Sequence, residues 1–240
     1  MGSPDDGAQA WVAARLPGAA MLGLLPPPDA RQLPAVALGD PAWTVRLLAE
    51  RARTGRTDDR RVLATLWWYS ASTVLLGPAL AGLVTGRLLS PRLVDTTLHL
   101  VGDVPLAATT TAATTAAGGT DVVDALSESL AAVEAAVAEA GGVRRAPLRA
   151  LTTDALANRL LGLGRARGDV AAATALAGPL ADALGLLRPR FVAAGGQLFT
   201  HRASCCLMWR VPREATCTSC PRRDAGQRQV LLEEAAARIW

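Results

Sequence analysis

The sequence predicts a mainly α-helical fold with a minor β-hairpin or sheet component, an α+β class, closed by a C-terminal cysteine-rich module. Three observations carry that prediction. Half of the 240 residues are hydrophobic, enough for a large core. Alanine and leucine supply most of it, with only six Trp, two Phe and one Tyr, which favours packed helices over aromatic-rich strands. All four cysteines, Cys205, Cys206, Cys217 and Cys220, fall together near one end.

Residues 1–40 read as an N-terminal irregular extension, rich in proline and alanine around Pro26-Pro27-Pro28, with a short helix near Ala8–Arg15. A mostly helical domain is expected over 41–196. Pro41–Arg53 fits a helix with Trp43, Leu47 and Leu48 on one side, and Asp58 and Asp59 offer acids to start the next. Residues 62–86 carry no charge, a length that could span a bilayer. Gly77-Pro78 interrupts that stretch, and Thr65, Ser70, Ser72 and Thr73 make it only moderately apolar. The expectation is a buried helix that breaks at Gly77-Pro78, then a second short helix to Gly86.

Leu98–Val101 and Val104–Thr110 flank Gly102-Asp103, a two-residue hairpin signal. The Thr/Ala run to Ala117 continues as strand and then loop at Gly118-Gly119. Thr120 can cap a helix whose apolar positions Val122, Leu126, Leu130, Val133 and Val137 recur at helical spacing, with Gly141-Gly142 as its stop. Two further helices fit Pro147–Leu163 and Asp169–Leu187, the second kinked or split at Gly178-Pro179. Arg188–Gly196 reads as a connector. The module over 197–240 contains extended segments at Gln197–Thr200 and Leu207–Val211, a turn-rich loop at Glu214–Arg223 and a closing helix at Gln229–Trp240.

Charge and termini exclude several classes. The formal charge is +4 and every basic residue is arginine. That weak excess, with no arginine run interleaved with aromatics, argues against nucleic acid as a partner. Met1–Gly7 is acidic and polar, the reverse of a signal peptide's basic start. A reducing cytoplasm is the expected compartment, with peripheral contact at the cytoplasmic face of the inner membrane as a variant.

In that setting a local cysteine group reads as metal ligands rather than disulfides. Thiolate sulfur selects Fe–S clusters, zinc or Cu(I), and four thiolates satisfy a tetrahedral zinc or a [2Fe–2S] cluster. Adjacent Cys205-Cys206 suits a single small ion poorly, because neighbouring side chains on extended chain diverge. Arg202, Arg210, Arg213, Arg222 and Arg223 surround the group, and positive neighbours stabilise the more negative reduced form of a cluster.

Cys-Cys, ten residues, Cys-x-x-Cys-Pro at the C-terminal end resembles the signature of FhuF-type ferric-siderophore reductases. The likeness runs from Arg202 through Cys205-Cys206 to Trp209-Arg210 and from Cys217 to Pro221. A fainter similarity touches Trp67-Trp68-Tyr69, Gly77–Gly82 and Leu151–Leu161 with Asn158-Arg159. The resemblance implies a [2Fe–2S] cluster held by Cys205, Cys206, Cys217 and Cys220. It also implies one-electron reduction of iron(III) in an imported ferric siderophore, with an electron donor such as a ferredoxin or flavin reductase.

No general acid, base or nucleophile is needed for that reaction, and no catalytic residue is assigned. His201 could be an outer donor to the centre, whereas His99 reads as structural. Trp67, Trp68 and Tyr69 could line a cleft but sit on an apolar helix, the usual place for core aromatics. Gly162-x-Gly164 lacks the strand-turn-helix context of a phosphate loop. An Fe–S electron carrier for another enzyme and a zinc-stabilised interaction module are the alternatives.

Overall fold

The computed structural model describes residues 7–113 and 119–238. Helix α1 (Ala8–Ala13) places Ala8 and Val12 in the core. Gln9 on the same helix is buried and donates its Nε2 to the carbonyls of Leu24 and Ala108, both at 2.8 Å, while its Oε1 accepts from Thr110 N at 2.8 Å. Strand β1 (Arg31–Pro34) leads into a 3₁₀ turn at Ala35–Gly39. Residues 31–34, expected to be irregular, form a strand because a hairpin edge downstream accepts them.

Helix α2 (Pro41–Thr54) is capped by Asp40, which accepts from Ala42 N at 2.8 Å, with proline at its first position. Helix α3 (Arg60–Thr85) is capped by Asp59, accepting from Arg61 and Val62 N. It runs unbroken through Pro78 and stops at Gly86, whose φ is 80°, so the expected break at Gly77-Pro78 is corrected. Proline removes a helix donor and crowds the preceding turn. In that crowded turn the buried Arg159 guanidinium donates Nε and Nη2 to the Thr73 carbonyl at 3.2 and 2.9 Å, one residue before the Val74 carbonyl that Pro78 leaves without a helical donor. Burial lowers the Arg159 pKa to about 10, which leaves it a cation at neutral pH.

Strands β2 (Thr96–Val101) and β3 (Val104–Thr110) form the predicted hairpin, with Gly102 at φ 62° in its turn. They complete a three-stranded antiparallel sheet in the order β1-β2-β3. Expectations for residues 114–118, and for Thr120 as a cap, lie outside the described residues. Helices α4 (Gly119–Gly141) and α5 (Arg145–Arg167) follow. The next predicted helix is two pieces, α6 (Val170–Ala175) and α7 (Ala177–Ala183), parted at Leu176 just ahead of Gly178-Pro179.

The expected connector at Arg188–Gly196 is instead strand β4 (Arg190–Ala194), paired antiparallel with β5 (Gln197–His201). Gly195 and Gly196, both at positive φ, are the two-residue turn between them, a Gly-Gly hairpin signal. Leu207–Val211, expected to be extended, contains a 3₁₀ turn at Met208–Arg210. Helix α8 (Ala225–Ala236) is capped by Asp224 and begins earlier than the expected Gln229.

Helix α3 is the axis of the core, packed against α4, α5 and β3, with Trp67 and Trp68 fully buried. Trp68 donates its indole N–H to the Leu148 carbonyl at 3.0 Å. Trp68→Ala removes a large buried ring and orphans that acceptor, so it is expected to cost about 3–5 kcal/mol. Urea unfolding followed by far-UV circular dichroism measures this. Among the described residues no helix is long and apolar enough to cross a membrane.

Candidate metal centre

The site begins where β5 ends. The chain after His201 turns back over α5, and a single carboxylate fixes its path. Asp154, 1% exposed on α5, accepts from Ala203 N at 2.7 Å, Ser204 N at 3.2 Å, Ser204 Oγ at 2.8 Å and Arg202 Nε at 3.2 Å. A buried carboxylate is stable only when its lone pairs are filled and its charge matched, and this loop does both.

Arg202 is the matching charge, its side chain 1% exposed. Nη1 points to Cys206 Sγ at 3.6 Å and Cys217 Sγ at 3.4 Å, and the guanidinium carbon lies 5.0 Å from the Tyr69 ring centroid. Burial opposes its charge, but Tyr69, Cys206 and Asp154 outweigh that and keep its pKa above the ordinary arginine value. Its Nη2 is buried and has no hydrogen-bond partner.

Leu207 adopts φ 65°, rare for a branched side chain. This bend lets adjacent cysteines turn their sulfurs inward: Leu207 N–H donates to Cys205 and Met208 N–H to Cys206. On the facing segment, Cys220 N bonds the Cys217 carbonyl at 3.1 Å, forming the Cys-x-x-Cys turn. Arg223 holds that turn from behind through the carbonyls of Cys217 (3.0 Å) and Thr216.

All four cysteines are free thiols; Cys206 and Cys220 are buried, and Cys205 and Cys217 are partly exposed. They meet as two pairs, Cys206 with Cys217 and Cys205 with Cys220. Among the described residues, no three His, Cys, Asp or Glu side chains close on one ion. The hydrogen bond from Cys217, helped by Met208 N–H and Arg202, pulls the Cys206 thiol down to about 5, whereas burial pushes Cys205 up. The donor set therefore fits a wide, thiolate-bound, anionic group: soft sulfurs in pairs, a buried cation against two of them, and an unfilled donor on that cation.

Of the five arginines expected around the centre, Arg202 alone reaches sulfur among the described contacts. Arg223 holds backbone, Arg210 pairs with Asp59 at 3.5 Å, Arg222 lies 4.3 Å from the Trp209 ring centroid, and Arg213 is exposed. His201 contacts Arg190 through Nδ1 at 3.3 Å, rather than the thiols. His99 is buried with Nε2 2.7 Å from Thr109 Oγ1, and burial lowers its pKa, which makes it a neutral sheet residue. Trp67 and Trp68 are core, while Tyr69 faces the site. The residue that sequence reasoning missed is Asp154. Its signal was a lone acid inside the apolar helix Leu151–Leu163, which needs a buried partner.

Four free thiols in two pairs, with a buried arginine against one pair, are a donor set that suits an iron–sulfur cluster. The family model of the FhuF 2Fe-2S C-terminal domain matches residues 202–222. The match is confined to that stretch, and it assigns the stretch a [2Fe–2S] cluster as cofactor. No curated protein and no solved structure matches the chain.

Proposed function

We propose that Cys205, Cys206, Cys217 and Cys220 hold the [2Fe–2S] cluster and that the protein is a ferric-siderophore reductase. The observation that carries the reading is the paired set of free thiols, with Arg202 against two of them, inside the segment that matches the FhuF domain. When bound, the cluster supplies one electron at a time, and iron(II) binds hard oxygen donors far less tightly than iron(III). One electron taken from an external carrier thus ends on the chelated iron, which is then released.

The protein's own residues set the conditions. Arg202 offsets the negative charge that four thiolates bring into a buried site. The partly exposed Cys205 and Cys217 lie on the side open to reactants. Arg202, Arg210, Arg213, Arg222, Arg223 and Arg228 face only Glu214 and Asp224 between residues 202 and 228. The rest of the chain is balanced, so the formal +4 resides in residues 202–228. Exposed Trp209 under Arg222 gives that face an aromatic-cationic centre, suited to an acidic ferredoxin or flavin reductase as electron donor. The reading carries with it function at the cytoplasmic side, free or against the inner membrane.

The test is iron and acid-labile sulfide in protein purified without oxygen, then titration of the reduced protein with ferric siderophores of several classes. Two irons, two sulfides and iron(II) appearing on a chelator in step with reoxidation support the reading. Zinc in place of iron, or no reaction with any class, overturns it. Arg222→Glu is expected to slow reduction by an acidic donor about tenfold at low salt and to weaken the salt dependence, read by stopped-flow absorbance.

A further inference from the structure

We infer that the cleft between the α2 end, α3, the β2–β3 turn and the cysteine module binds the ferric chelate, and that it favours chelates carrying anionic oxygens. This rests on the reductase reading and locates its substrate.

The cleft has a volume of about 440 Å³, within the range of small-molecule sites. Tyr69 is part of its wall, and the same ring stacks on Arg202, which reaches the sulfurs of Cys206 and Cys217. Met208 is part of it too, and its N–H donates to Cys206. The cavity is thus one side-chain layer from the thiols. A larger hollow of about 600 Å³ lies beyond Thr54 and Asp103, but its lining includes no residue of the cysteine module. Proximity to the thiols, not size, decides between them.

The lining defines the ligand's chemistry. Leu66, Val104 and Met208 offer apolar surface for an organic backbone, and Ser70 offers a hydroxyl. Arg51 is 17% exposed, pairs with Asp103 at 3.3 Å and keeps a buried Nε with no partner. Arg56 pairs with Glu214 at 3.0 Å in an exposed bridge, the kind of contact worth little and readily exchanged. A ligand carboxylate can replace Glu214 on Arg56, since guanidinium groups recognise planar oxyanions through paired hydrogen bonds. No residue of the cleft needs to change protonation.

The experiment uses the cluster-loaded protein and redox-inert gallium(III) complexes, one of a carboxylate-bearing citrate-hydroxamate chelator and one of a neutral trihydroxamate, with binding measured by calorimetry. Wild type is expected to bind the carboxylate complex at least tenfold more tightly. Ser70→Trp, which fills the cleft, should weaken both complexes at least tenfold. Arg56→Glu, at the exposed rim and safe for folding, should weaken the anionic one selectively. Arg46→Trp in the larger hollow should leave both unchanged. The visible spectrum of the cluster should be the same in every variant. Unchanged binding by Ser70→Trp and Arg56→Glu, in a protein that still reduces ferric chelates, overturns the cleft and leaves the reductase standing. Failure of wild type both to bind gallium complexes and to reduce ferric ones overturns both.

Discussion

Cys206→Ser is expected to give a colourless protein whose helical domain remains folded. Among the four thiols this one is the most heavily supported. It accepts from Met208 N–H, from Cys217 and from Arg202 Nη1, and these donors hold its pKa at about 5. These contacts favour the thiolate at this position, and thiolate is the ligating form. Serine keeps the shape but presents an alcohol that stays protonated in this range. It also leaves the buried Arg202 facing a neutral group. Iron content is expected to fall below a tenth of wild type, with the visible absorption lost. The thermal midpoint of the helical signal should move by only a few degrees, because serine nearly matches the volume of Cys206 in the core and the contacts among α3, α4 and α5 are made by the helices themselves. The comparison variant is Cys205→Ser. Cys205 is partly exposed and has no contact from Arg202 among the described hydrogen bonds, so its variant should lose less iron. A red-brown Cys206→Ser protein with a wild-type spectrum would remove Cys206 from the ligand set.

Much of this was legible from the chain because local chemistry set it. Asp40 and Asp59 announce α2 and α3 as caps, Gly102-Asp103 announces its hairpin, and Cys-x-x-Cys announces its turn. The failures share a cause, in that tertiary partners overrode local preference. Pro78 reads as a break, yet α3 continues through a fully buried segment in which Arg159, distant in sequence, braces the preceding turn at the Thr73 carbonyl. Residues 31–34 have no strand pattern of their own and become β1 by pairing with residues 97–100. The β4–β5 hairpin carries a local signal in Gly195-Gly196, within a stretch otherwise expected to be a connector.

The site divides in the same way. Its thiols were visible as letters, and their spacing sufficed to mark them. The order among the arginines was not visible, since exposure and direction decide it: Arg202 turns in to sulfur while Arg210 and Arg222 turn out to Asp59 and Trp209. Asp154 lies 48 positions from Arg202, and no periodicity links the two. They nonetheless form the fully buried ion pair that joins the cysteine module to the helical domain among the described residues.

That contact sets the second large effect. Asp154→Ala is expected to destabilise the protein by about 3–5 kcal/mol, the cost of leaving a buried charge without its partner. It also removes the acceptor for Ala203 N and for both donors of Ser204, so the chain entering Cys205 loses its anchor. Asp154→Asn keeps one acceptor oxygen and loses the charge, and should fall between the two. The expected signature is a double one: a lower urea midpoint by circular dichroism and a faster loss of visible absorbance on exposure to a chelator. Arg202→Gln approaches the same pair from the other side. Asp154 keeps its backbone donors there, so stability falls less, but the thiolates lose their cation. The reduction potential should drop by tens of millivolts, given that about 59 mV corresponds to about 1.4 kcal/mol for one electron. If the pair acts as one unit, the losses in Asp154→Asn and Arg202→Gln are not additive, and the double variant is more stable than their sum predicts. Additive losses with an unchanged potential would mean that Asp154 is only a loop anchor and that Arg202 does not bear on the cluster's electrons.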